Sequence, residues 1–103
     1  MKVILKRVGY PAEVSVIDDG QAFLKQAQAI VGGFIEPVRL GGAIYAIVNE
    51  RGRLENLPVN GCGFVGDFFI TKLHRGTGDF IGLTDQEIAK AKGWIEANNN
   101  VQP

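Results

Sequence analysis

Two spacings of apolar residues organise this chain. Residues 2–8 are rich in apolar and β-branched side chains, with Val3-Ile4-Leu5 at their centre, and predict a strand. Gly9-Tyr10-Pro11 is a turn signal. Over residues 12–17, Val14 and Val16 alternate with Glu13 and Ser15, which predicts a half-buried strand and makes residues 2–17 a hairpin. The period then changes. Phe23, Ala27, Ile30 and Val31 follow at helical spacing, with Asp18 and Asp19 as candidate N-caps and Gly32-Gly33 as the left-handed stop.

Strand character returns over residues 34–40 and 43–49, joined by Gly41-Gly42, and again over residues 67–73. Between them, residues 54–66 hold Pro58 and several glycines and asparagines and read as a loop, with room for one short helical turn. His74-Arg75-Gly76-Thr77-Gly78 reads as a second loop. The final helix has the clearest start. Thr84 and Glu87 match a capping box, Leu83 and Ile88 match the hydrophobic staple, and Ile88, Ala91 and Ile95 form an apolar stripe.

The order ββαβββα lacks repeated βαβ units. It predicts an α+β fold, with a single, mainly antiparallel sheet of about five strands and two helices. Residues 1–97 form one domain in this reading, and residues 98–103 a frayed tail. Two short helices suffice for one face of such a sheet. At least two strands are apolar on both faces, Ala43-Ile44-Tyr45-Ala46-Ile47-Val48 above all. A second copy of the chain is the economical cover for the remaining face, so a homodimer or higher oligomer is expected.

Composition narrows the function classes. The 103 residues suffice for one core, and 46% hydrophobic with 21% charged is a globular balance. Lysines and arginines number 11 and so do acidic residues, so no overall field draws the chain to nucleic acid or an anionic membrane. With no basic helix either, nucleic acid is an unfavoured partner. The three-residue apolar run at the N-terminus is too short for a signal peptide or a membrane span, which points to the cytoplasm, as does a lone cysteine.

Catalytic and cofactor chemistry find little support. Cys62 is the only cysteine, His74 the only histidine and Ser15 the only serine. A nucleophilic site would have to join Cys62 to His74 across twelve positions. No metal-ligand spacing is present, and no cofactor is expected. Gly61-Cys62-Gly63-Phe64-Val65-Gly66 spells G-x-G-x-x-G, but Pro58 precedes it and the β-rich Asp67-Phe68-Phe69-Ile70 follows. A dinucleotide fingerprint needs a strand before and a helix after, so turn formation is the better reading, with a backbone anion nest between the two. The candidate ligand contacts are cations, aromatics and amides at strand ends and loops: Arg39, Tyr45, Asn49, Arg51, Arg53, Asn60 and Arg75. Guanidinium forks suit phosphate, aromatics stack bases, and asparagine reads adenine edges. Each also has a plain alternative, as solvated surface charge, core ring or turn residue.

The ordered pattern Val31-Gly32-Gly33-Phe34-Ile35-Glu36, Asn49-Glu50-x-Gly52-x-Leu54, Leu57-Pro58-x-Asn60, Gly66-Asp67-Phe68-Phe69-Ile70 and Leu83-Thr84-Asp85-x-Glu87 spans nearly the whole chain. It resembles a family of small uncharacterised domains common in bacteriophages and mobile elements. The resemblance implies a phage-type accessory protein acting in the bacterial host's cytoplasm, and carries over no assigned catalytic residues. Together these features lead to the expectation of a non-enzymatic, oligomeric sponge for a nucleotide-derived small molecule, such as a host immune signal. The alternative is a protein–protein inhibitor that binds a host enzyme through a sheet face or edge.

Overall fold

A computed structural model describes residues 1–103. Ten elements follow in order: β1 (Lys2–Lys6), β2 (Glu13–Val16), α1 (Gln21–Val31), β3 (Ile35–Gly41), β4 (Ile44–Asn49), β5 (Val59–Gly61), β6 (Phe64–Val65), β7 (Phe68–His74), β8 (Asp79–Ile81) and α2 (Asp85–Ala97). The main sheet runs β2-β1-β7-β4-β3 and is antiparallel throughout, with β8 paired to β7 beyond the end of β1. The α+β class and the ββαβββα order of the main elements are as the pattern predicts. Three short strands are additional. β5 and β6 form a small hairpin inside the expected central loop, and β8 follows the second glycine-rich turn.

The two helices lie on opposite faces of the sheet. On one face, Phe23, Ala27 and Val31 of α1 pack with Val3, Leu5, Ile47 and Phe69. On the other, Ala91 and Ile95 of α2 pack with Ile4, Ala46, Phe68 and Ile70. This corrects the premise that both helices share one face. The two-sided apolar strands β4 and β7 are covered within one chain, so a covering second copy is no longer required by the core.

Local signals decide most of the helix ends. Thr84 and Glu87 form the reciprocal capping box: Glu87 N–H donates to Thr84 Oγ1 at 3.2 Å and Thr84 N–H to Glu87 Oε1 at 2.9 Å. Gly32 ends α1 in the left-handed region, φ 79°. The start of α1 differs from the expected aspartate cap. Gly20 holds the cap position without a side-chain bond, while Asp18 Oδ2 accepts from Gln26 Nε2 at 2.7 Å on the helix flank.

Val14 and Val16 are a second correction. Their strand is the outer strand of the sheet, and both side chains are exposed rather than half-buried. They share a sheet face with Ile4, but α2 does not reach that far.

Candidate functional site

The sequence-derived contacts divide between the two ends of the sheet. Arg39 pairs with Tyr45 near the β3–β4 turn, and Leu73 N–H donates to Ala43 O, so Arg39, Tyr45 and Arg75 gather at one end. Asn49, Arg51, Arg53 and Asn60 lie at the other. Those ends are separated by the length of β4, about 17 Å for a strand of that size. The seven residues therefore do not form one site.

Several of them have structural employment. Arg39 Nε donates to Gly42 O at 2.9 Å, bracing its own turn. Tyr45 packs edge-on against Phe80, centroids 6.0 Å apart, on the α1 face. Asn49 is buried; its Nδ2 donates to Val31 O and its Oδ1 accepts from Arg51 N–H, so its amide closes the end of α1 and the turn after β4. Arg51 and Arg53 line separate shallow clefts, the first beside Glu55 and the second beside Glu36 and Glu50. Arg75 is exposed on the β7–β8 turn.

The glycine run is a tight turn. Gly61, Cys62 and Gly63 all have positive φ, at 84°, 60° and 79°. The amides it presents are taken by the chain itself: Cys62 N–H donates to Asn98 O at 2.9 Å and Gly63 N–H to Val101 O at 3.0 Å. The tail expected to fray is thus bound as far as Val101 and fills the would-be anion nest. Gly61 is required here, because a Cβ at that position would stand 2.6 Å from Asn99 O.

Cys62 and His74 do not meet. Cys62 is buried against α2, where its Sγ contacts Ile95 O at 3.8 Å. His74 ends β7 at the far end of the sheet, its Nδ1 accepting from Thr77 N–H at 3.2 Å. Burial pushes the Cys62 thiol up, opposed in part by the nearby Lys6 ammonium. No group of three His, Cys, Asp or Glu side chains comes together.

One feature escaped the sequence reading. A groove of about 650 Å³ runs between the β1–β2 turn, β5 and the last turns of α2. Gly9, Tyr10 and Pro11 form one wall, Asn60 and Gly61 another, and Lys92, Glu96 and Asn99 the rim. Lys6 contributes to the lining although it is only 6% exposed. Its Nζ donates to Asn60 Oδ1 at 2.8 Å and to Arg7 O at 3.1 Å, both neutral acceptors. An ammonium has three donors, so one remains. The ion pairs of the molecule, Lys2–Asp85 and Lys72–Glu87, lie elsewhere. A cation taken out of water costs several kcal/mol unless partnered. The groove therefore has an uncompensated positive charge in its lining, with Lys92 adding a second cation and Glu96 one opposing charge. Nothing in the local sequence marks Lys6, since strand-end lysines are ordinarily solvated.

Comparison with known proteins places the fold in a family. The model of a domain of unknown function, DUF3846, matches residues 1–96. The chain belongs to the DUF3846 family. No curated protein matches it, and neither does any solved structure. The matched span of the DUF3846 domain takes in every strand, α1 and all of α2 but its last residue, and with them the groove lining up to Glu96. No helix of the domain is long and apolar enough to cross a membrane.

Proposed function

We propose that this DUF3846 domain is a non-enzymatic binding protein for a small anionic molecule of the nucleotide-derived class, which it sequesters. The observation that carries the reading is the buried Lys6 ammonium, held by two neutral oxygens in the lining of the largest groove. A phosphate placed there gains a charge-assisted hydrogen bond and neutralises the cation. Tyr10, 67% exposed at the groove wall, offers a ring on which a base can stack. In the phage-type accessory role implied by the sequence resemblance, the ligand would be a host signal, bound in the cytoplasm of the bacterial host.

Native mass spectrometry of the protein, alone and with cyclic dinucleotides, cyclic ADP-ribose isomers and plain nucleotides, tests this. The expected result is one retained ligand per site, with binding weakened by the rim substitution Lys92→Ala and abolished by Lys6→Met. Ligand at about 100 times its dissociation constant should add roughly 2.7 kcal/mol of stability. Failure of the whole panel to bind, or binding indifferent to both substitutions, rejects the reading.

The second reading is an inhibitor that docks on a host enzyme through a strand edge. The open outer edge of β2 favours it. A host enzyme whose activity falls on addition of the protein, and recovers with Val16→Lys, is its expected signature.

A further inference from the structure

Residues 98–103 cross the β5–β6 turn beside the Lys6 groove. Asn98 caps α2: its N–H donates to Trp94 O and Ile95 O, and its Nδ2 to Trp94 O at 2.8 Å. The chain then bends back, with Val101 N–H donating to Asn98 O at 3.0 Å. In doing so it turns its carbonyl oxygens toward the β5–β6 turn. Asn98 O accepts from Cys62 N–H, and Val101 O from Gly63 N–H. Asn99 O and Gln102 O lie over the same turn, 2.6 Å and 3.8 Å from where a Cβ on Gly61 and on Gly63 would stand.

These peptide oxygens carry partial negative charge, and successive backbone N–H groups of a turn are donors suited to anions. The corner they fill adjoins the groove, because Asn99 lines it together with Asn60 and Gly61. Lys6 Nζ reaches the same corner through Asn60 Oδ1. Burial raises the Cys62 thiol and the nearby Lys6 charge opposes that rise, so the ammonium is felt at the turn itself. Two backbone amides and the third donor of a buried ammonium thus border one corner, which neutral oxygens of the chain occupy.

The occupant is loosely held. Residues 99–103 are all exposed, and Gly63 N–H to Val101 O is their only hydrogen bond to any residue before Asn98. None of their side chains is charged. A segment with so few buried contacts opens at low cost. An anion would offer the same donors charge-assisted bonds in place of neutral ones. We infer that residues 99–103 are an autoinhibitory strap, hinged at Asn98, which the anionic ligand of the Lys6 groove displaces from the β5–β6 turn. The inference rests on the ligand reading above and adds the regulation of that site.

Strap closure and ligand binding then exclude each other. The apparent affinity is reduced to the fraction of molecules whose strap is open, so loosening the strap tightens binding. By linkage, the ligand frees the strap in return.

Two variants loosen the strap and keep the Asn98 cap. Deletion of residues 101–103 frees the Gly63 amide, and Val101→Pro removes the N–H that closes the bend. Titration calorimetry with inorganic pyrophosphate, and with the nucleotides and cyclic dinucleotides named above, compares both with the full chain. Each variant should bind about tenfold more tightly or better. Lys6→Met in the deletion background should abolish that binding. In the full chain, saturating ligand should speed hydrogen exchange at the Val101 amide while the Gly63 amide stays protected. Binding to the variants alone also supports the strap. Equal or weaker binding by both variants overturns it and leaves the ligand reading standing, as does a Val101 amide indifferent to ligand. No binding to any of the three proteins, or binding that survives Lys6→Met, overturns both.

Discussion

Lys6 and Asn60 are hooked to each other twice. Lys6 Nζ donates to Asn60 Oδ1 at 2.8 Å, and Asn60 Nδ2 donates back to the Lys6 carbonyl oxygen at 2.8 Å. The same Nδ2 also donates to Gly66 O at 2.7 Å. One amide thus ties the β5–β6 hairpin to the end of β1 and sets the ammonium in the groove lining.

Asn60→Ala should unhook that corner. It strands the Gly66 carbonyl, takes the second donor from the Lys6 carbonyl, which keeps its place in the ladder with Phe68, and removes one of two acceptors from a buried cation. Each buried polar group left unpaired costs about 1–3 kcal/mol, so a loss of about 2 kcal/mol or more is expected in urea unfolding. A loss under about 1 kcal/mol would mean that water replaces the amide.

Removing residues 98–103 should expose Cys62. The intact protein keeps this thiol buried and raised by that burial, so alkylation at neutral pH should be slow. Truncation frees the Cys62 and Gly63 amides, and the rate of iodoacetamide labelling should rise by an order of magnitude or more. Equal rates would show that the tail does not shield the turn.

Glu87 gives the fold an acid-sensitive contact. The Thr84 amide is the main cause that holds its carboxyl below the ordinary 4.5, with hydrogen bonds from Lys72 and the Thr84 hydroxyl adding to it and burial opposing. A lowered folded value means the carboxylate stabilises the fold above its ordinary unfolded value, and that this contribution is lost as pH falls through the lower folded value. The wild type should therefore lose more stability than Glu87→Gln between neutral pH and acid. Parallel urea midpoints for the two proteins across that range would contradict it. Thr84→Ala should cost about 1 kcal/mol at neutral pH.

Phe69 is the aromatic on which the α1 layer depends. It is fully buried and meets Phe23 edge-on at 6.0 Å between centroids. Phe69→Ala should cost about 3–5 kcal/mol in thermal or urea unfolding. Phe34→Ala, at an exposed ring, should change stability by less than about 0.5 kcal/mol.

What could be read from the chain alone follows from interactions between near neighbours. The capping box at Thr84 and Glu87, the Gly32 stop, the turns and the strand alternation are all short-range, so the α+β class and the main element order were legible. The two-sided apolar character of β4 was legible as well. Only the tertiary structure decided what covers it, because helix placement depends on which side of the sheet each connection crosses, and no local pattern records that. The same limit separates the candidate contacts. Arg39 and Arg75 stand a strand's length from Arg51 and Arg53, although all four read alike as loop cations. Lys6 was passed over for the converse reason. Its burial comes from Asn60, 54 positions away, and from a groove wall contributed by α2, and a lysine's distance from water is a property of the packed fold rather than of its neighbours in sequence.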